Sequence, residues 1–287
     1  MLSSLPFFKP TPESLVKRLQ DLPPPPKILH TLRRLVECDS TTIEQISEII
    51  KLEPGLSARV VRMANSTHFG GRTSVESVME AIQRVGLVGV QELVTFAVAS
   101  QLVGRPLAAY DMSAQNLWLR AVACALAAAG LAERSDVDRG DAYTAGLMHG
   151  LGLLVIDRHV MQQRTRRVFV SAGYPLDFAP AEREWLGFSH AEAGAALLKM
   201  WGFSEAVTTA VRYQLEPEAA GPHRKLSMIL ATARWARSLF CVSDEMIPDL
   251  PAAHWLEESG VQISDFGDWL RLMRVRYTIA CAELRLG

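Results

Sequence analysis

An all-α fold is what this sequence predicts, on three observations. Apolar residues recur at spacings of three and four rather than two, the period of a helix and not of a strand. Helix-start chemistry, a hydroxyl or proline followed by an acid, stands ahead of several of those runs. Glycine and proline clusters then break the runs at intervals short enough for ordinary globular helices.

The elements follow in order. Thr11-Pro12-Glu13 starts a helix, with a capping oxygen, a proline in the first turn and an acid facing the dipole. "LPPPPK" at 22–27 has to be extended, because each proline removes a donor and disfavours helix in the residue before it. Thr41-x-x-Glu44 has the form of a capping box before "IEQISEIIKL", whose Ile43, Ile46, Ile49 and Ile50 share a face. Pro54 opens "PGLSARVVRMANS", and "HFGGR" breaks it, since Gly70 and Gly71 reach positive φ at little cost. Residues 77–85 and 91–103 form two further helices, with Gly86 closing the first. Arg105-Pro106 and "YDMSAQ" mark a boundary, so 1–104 is expected to be an N-terminal helical subdomain and 105–287 a helical bundle. Helices are expected there at 114–134, 140–158, 161–172, 180–186, 191–201, 205–215, 225–240 and 265–285.

Composition bounds the function. A chain of 287 residues, 49% hydrophobic and 21% charged, has the composition of an ordinary globule with ample core. A formal charge of -1 gives no global field toward nucleic acid or an anionic membrane. Cys38, Cys124, Cys241 and Cys281 form no CxxC pair, which argues against a zinc ribbon or a disulfide framework and fits a reducing cytoplasm. The start, "MLSSLPFFKPTPESL", meets Pro6 and Pro10 before any apolar run develops, so no signal peptide is expected. The Ala-rich stretch 121–131 is too short for a bilayer.

Catalytic signatures are sparse. There is no GxxxxGK[ST] loop, no GxGxxG after a strand and no HExxH. "GFSHA" at 187–191 lacks the last glycine of a nucleophile elbow, and Ser189 is better read as a helix cap. Ser14-x-x-Lys17 is a short pattern common on amphipathic helices. The acid pairs Glu182/Glu184 and Glu216/Glu218 have the look of solvated faces. Trp118, Trp201 and Trp235 are expected in the core, with Trp255 and Trp269 the better candidates for an interface anchor. Arg62, Arg72 and Arg84 are interleaved with Glu53, Glu76 and Glu80, so a mixed solvated face is expected. His149, in "AGLMHGLGLLV", is the residue that poses the functional question: metal ligand or core histidine.

Five segments bear on it. "LEPGLSARVVRMANSTHFGG" (52–71), "SVMEAIQRVGLVGVQELV" (77–94), "NLWLRAVACALAA" (116–128), "AGLMHGLGLLVID" (145–157) and "HAEAGAALLKMWGFSEAVTTAVRY" (190–213) stand in the order and spacing of the HDOD domain. The chain resembles that family, the HD-related output domain of bacterial signalling proteins, over about residues 20–217. The Asn65-Ser66 pair followed by an aromatic and Gly70 is the most specific element. The resemblance implies an all-helical fold, with an N-terminal helical part packed on an HD-like bundle.

It also implies a degenerate site. Catalytic HD relatives converge several histidines and a His-Asp pair on metal. Aligned by motif, His149 keeps the histidine of the pair, Gly150 stands where its aspartate belongs, and Arg120 takes the place of an upstream histidine. His190 is retained, while Gln214 and Leu215 stand where later histidines would be. An arginine is permanently charged and repels a cation, and loss of the aspartate removes the anionic ligand. The expectation is therefore no metal, no cofactor and no catalysis, with His149 hydrogen-bonded inside the bundle. A residual reading keeps Arg120, His149 and His190 as a polar pocket for a small anion. Gly150 and Gly152 are expected to permit close helix packing. Asn65 and Ser66 are expected to close a helix and tie down the "THFGG" loop, where Asn tolerates αL; partner binding by that loop is the alternative.

The function expected from this is a non-catalytic signalling or scaffold module working through protein contacts in a bacterial cytoplasm. A metal-dependent phosphohydrolase acting on a cyclic dinucleotide is the alternative, and a nucleic-acid-binding regulator stands third for want of a basic helix. With no sensor or catalytic segment evident, a signal is expected to arrive through binding.

Overall fold

A computed structural model describes residues 10–18, 31–32, 35, 38, 40–66, 69, 73–102, 105–163, 167–172, 177–240, 253–258, 260 and 262–284. Among the described residues all regular structure is helical; one isolated bridge joins Leu107 and Met112. The first helices are α1 (Pro12–Arg18), α2 (Ile43–Lys51), α3 (Pro54–Ala64) and α4 (Val78–Leu102). Next come α5 (Ala114–Ala132), α6 (Arg139–Met148), α7 (Leu151–Gln162), α8 (Ala179–Leu186) and α9 (His190–Met200). The last are α10 (Glu205–Arg212), α11 (Arg224–Ala236), α12 (Ala253–Glu258) and α13 (Phe266–Leu284). Gly70, Gly71, Arg72 and the prolines at 23–26 lie outside the described residues.

Two apolar cores form. The smaller one joins α2, α3 and α4 through Ile46, Ile50, Leu56, Val60, Ile82 and Leu93. The larger surrounds α5, which is buried at Leu117 and at every residue from Ala121 to Ala132. Its small side chains explain that depth. A Cβ at Gly146 of α6 would lie 2.7 Å from Ala125 Cα and Cys124 O, so the two helices meet backbone to backbone. Gly130 likewise admits α13, whose Met273 Sδ would be 2.8 Å from an added Cβ, and Trp269 beside it is fully buried rather than free for a partner. α4 serves both cores: Val90 and Leu93 face the smaller, Phe96 and Ala99 the larger. Leu15 and Val16 of α1 belong to the larger core, although this helix precedes the smaller core in sequence.

Several boundaries differ from the sequence expectation for physical reasons. The capping box before α2 is Thr42 with Gln45, one residue later than Thr41/Glu44: Thr42 N donates to Gln45 Oε1 (3.0 Å) and Gln45 N to Thr42 Oγ1 (3.3 Å). At Gly86 φ is +70°, a kink only glycine makes cheaply, and helix resumes directly rather than at residue 91. The helix expected over 140–158 is interrupted between Met148 and Leu151, at His149-Gly150. The helix expected over 161–172 ends at Gln162. Residues 167–170 form no regular structure, with Phe169 buried between exposed Val168 and Val170 and its N–H donating to Ala109 O (2.7 Å).

Candidate functional site

Two glycines set the site. An added Cβ on Gly152 of α7 would lie 1.8 Å from His190 O, and Gly194 of α9 sits against the Gly152 backbone. This contact of α7 with α9 brings the break at His149-Gly150 beside the start of α9, where His190 stands. Gly150 itself is less constrained, since its nearest neighbour to an added Cβ is Leu117 Cδ1 at 3.4 Å. The expectation of close packing therefore applies to Gly152 and not to Gly150.

His149 caps the C-terminus of α6 and is buried, 4% exposed. Its Nδ1 lies 2.6 Å from Gly146 O. A carbonyl only accepts, so Nδ1 carries the proton and Nε2 is left with its lone pair. That lone pair accepts a hydrogen bond from the Arg237 guanidinium. Burial, then the charges of Arg237 and Arg234, hold the imidazole well below its usual range, so it is neutral. His149 O accepts from Gln214 Nε2 (3.1 Å), and Gln214 O accepts from Arg234 NH1 (2.7 Å). Every ring nitrogen of His149 is committed.

His190 belongs to a separate chain of hydrogen bonds. Its backbone N and its Nδ1 both donate to Glu182 Oε2, at 2.7 and 2.8 Å. Tyr110 donates to Glu182 Oε1 at 2.7 Å. Burial acts to raise the Glu182 carboxyl, but His190 and these donors outweigh it and hold the group below its usual value. Glu182 is 0% exposed, which corrects the solvated reading of that acid, whereas Glu184, Glu216 and the surface around them are exposed. Its spacing from Ala179 and Leu186 on α8, the buried face of that helix, is the signal that could have found it. Ser189 caps α9 as expected from its position, with its N and Oγ 2.8 and 3.0 Å from Glu192 Oε2.

Arg120, His149, Gly150, His190, Arg234 and Arg237 border one small cavity of about 10 Å³, closed on its other sides by Leu117, Leu153 and Phe178. Gln214 is 1% exposed and holds the wall behind it; Leu215 is half-buried and does not border the cavity. Arg234 and Arg237 are the residues sequence reasoning missed. Their spacing of three on α11 and the turn after it, inside the apolar run "SMILATARWARSLF", marks charges that must point into the bundle. Burial, then repulsion from Arg237, brings Arg234 down to about 10.

This donor set does not fit a metal. His149 has no free lone pair, Gly150 offers no side-chain ligand, and Gln214, whose Nε2 is spent on the backbone of His149, offers only a neutral amide oxygen. Three guanidinium groups repel a cation. Among the described residues no three His, Cys, Asp or Glu side chains converge.

Asn65 closes α3 in αR rather than αL geometry, at φ −83°. Its Nδ2 donates to Val75 O and its Oδ1 accepts from Val75 N, both at 2.8 Å, so the residue ties the far end of the following loop to the helix end. Ser66 Oγ donates to Met63 O (2.6 Å). Arg84 donates to Ala64 O (2.8 Å), to Asn65 Oδ1 (3.3 Å) and to Thr73 O, which makes it a staple of this corner rather than part of the mixed solvated face expected.

The HDOD domain family profile matches residues 22–217. A Treponema pallidum protein of uncharacterized function is 27% identical over 223 residues, 77% of this chain; the match spans only 43% of that relative's own length. A solved structure from Shewanella amazonensis, provisionally called a phosphohydrolase, is 25% identical with a TM-score of 0.67, covering 94% of this chain and 97% of its own. One from Marinobacter aquaeolei, provisionally called a signal transduction protein, is 22% identical with a TM-score of 0.71 and covers 94% of this chain and 63% of its own.

Proposed function

We propose, from the premise that this chain belongs to the HDOD domain family, that it is a non-catalytic signal-transduction module that works through protein–protein contacts. The observation that carries this reading is the hydrogen bond from Arg237 to Nε2 of His149, which uses the lone pair by which that histidine would hold a metal. Metal-assisted hydrolysis needs a cation to polarise the phosphoryl group or to activate water. Here the position is held by guanidinium charge, and neither Gly150 nor Gln214 supplies an anionic ligand. Without a reaction to perform, the fold has its surfaces to offer, and a bacterial signalling role in the cytoplasm is the setting proposed. Regulation within a cyclic di-GMP pathway would then be exerted on a partner and not on the nucleotide.

The name phosphohydrolase belongs to a relative, and the corresponding reading for this chain makes a distinct forecast. Incubation of the purified chain with cyclic di-GMP or bis(p-nitrophenyl) phosphate, with Mn²⁺, Fe²⁺ or Mg²⁺ added, is the test. The proposal expects no turnover above that of the His149→Ala variant. Turnover in the unaltered chain that His149→Ala abolishes would overturn it.

A further inference from the structure

A second face of α7 borders a larger cleft, which shares no described lining residue with the His149 cavity. Leu154, Asp157, Arg158 and Met161 recur at the i, i+3, i+4, i+7 spacing of one helix face. Together with Leu102 at the end of α4 and the segment from Arg105 to Ala108, they enclose about 510 Å³. Asp157 fixes the opposite wall: its Oδ1 accepts from Ala109 N (2.7 Å), which ties the turn Ala108–Tyr110 to α7. The floor is apolar, with Leu107 and Leu154 buried and Leu102 and Met161 half-buried.

Charge stands at the rim. Arg158 is half-buried and Arg105 exposed, and neither makes a hydrogen bond to a described residue. Asp157 is the one acid among the described lining residues, so cations exceed anions by one. Burial raises the Asp157 carboxyl, and the Ala109 N–H and Arg158 pull against that rise.

We propose that this cleft binds an amphipathic monocarboxylate, an apolar chain or ring headed by a single carboxylate. The apolar body lies on the leucine floor and the head meets Arg158 and Arg105, whose planar donors match a carboxylate. The volume lies within the range of about 300–1,000 Å³ usual for small-molecule sites, which join an apolar lining to a few polar groups. Asp157 sets the charge of the head. A dianion such as a phosphate monoester would exceed the single positive charge in excess and face that carboxylate, and a neutral head would leave both guanidinium groups unmatched. The site stands apart from the proposed function, which rests on the His149 lone pair and is untouched by its failure.

The test is isothermal titration calorimetry of the whole chain with octanoate, compared with acetate, 1-octanol and octyl phosphate at matched ionic strength. Octanoate should bind saturably at one per chain, with a Kd on the order of 100 μM. Acetate, which lacks the apolar body, should not saturate, and 1-octanol and octyl phosphate should each bind roughly tenfold more weakly. Arg158→Gln, checked for helix content by circular dichroism, should weaken octanoate by roughly tenfold or more, and Arg105→Gln by about threefold. Should Arg158→Gln fail to fold, Arg105→Gln and Met161→Glu decide, the second by placing a like charge in the cleft and abolishing binding. The proposal is overturned by the absence of saturable octanoate binding, by 1-octanol or octyl phosphate binding as tightly as octanoate, or by folded variants that keep the wild-type affinity.

Discussion

Arg237 donates a hydrogen bond to Nε2 of His149 from a position 88 residues away in sequence, while Nδ1 of the same ring is 2.6 Å from Gly146 O. The buried imidazole is the acceptor for a buried cation. An arginine in that position answers two needs at once. It satisfies the ring nitrogen that a metal would otherwise take, and it fixes the tautomer of the imidazole.

The pair should be energetically coupled. His149→Ala removes the acceptor that Nε2 offers the buried Arg237 guanidinium, at a cost of about 1.5–3 kcal/mol. In a double-mutant cycle with Arg237→Ala, measured by urea denaturation, the two losses should fall short of additivity by about 1 kcal/mol or more. Strictly additive losses would mean that the two side chains do not interact in solution.

The two glycines that flank Leu151 should differ sharply in their response to substitution. Gly152→Ala drives a methyl into His190 O, where an added Cβ would lie at 1.8 Å, and forces α7 away from α9. We expect a loss of about 3 kcal/mol or more, in the range of overpacked cores. Gly150→Ala meets only Leu117 Cδ1 at 3.4 Å, with φ −90° already accessible to alanine, and should change stability by less than about 1 kcal/mol. Equal effects in the two variants would contradict the close approach of α7 to α9.

Asn65→Ala should cost about 1–2 kcal/mol, because the Val75 N–H and C=O both lose their partner and α3 loses the tie to its following loop. The denaturation midpoint reads the effect directly. An unchanged midpoint would point instead to a side chain that faces solvent or a partner.

Two buried groups should give stability opposing slopes with pH. His149 is held well below its usual 6.5 by burial and by Arg237 and Arg234. It is neutral when folded and takes a proton when unfolded, so its contribution is lost as pH falls below about 6.5. Glu92 is raised from 4.5 to about 7 by burial, against the pull of Arg139. It keeps its proton in the fold and loses it in the unfolded chain, so its contribution is lost as pH rises from 4.5 to about 7. Each slope approaches about 1.4 kcal/mol per pH unit where one state is protonated and the other is not. Glu92→Gln should therefore turn a shallow wild-type profile into one that rises with pH up to about 6.5. Urea midpoints across this range that are parallel for the two proteins would refute the assignment.

Helices were legible wherever one face is apolar and the start carries a cap or a first-turn proline, as in α2, α3 and α9. Legibility failed where a tertiary contact overrode the period. The run from Tyr143 to Ile156 is apolar but for Thr144 and His149, and no helix-start or proline signal in it marks the break at His149-Gly150. Residues 167–170 look helical by composition, but the Phe169 N–H donates to Ala109 O instead of to a helix carbonyl. The family motif located His149, His190, Arg120 and Gln214, and the structure brings these four to one place. It could not locate Arg237, Arg234 or Glu182, whose significance depends on partners 88, 20 and 8 residues away. A buried charge in a short helix differs from a solvated one only in the face it occupies, and that face is set by the fold.

Metal content is the most direct measure of the central claim that the His149 lone pair belongs to Arg237. Tag-free protein, purified without chelator and analysed by inductively coupled plasma mass spectrometry, should carry no stoichiometric iron, manganese or zinc. Gly150→Asp alone should not change that, because Arg120 and Arg237 would pair with the new carboxylate before a cation could. About one equivalent of metal per chain, lost on His149→Ala, would contradict the account.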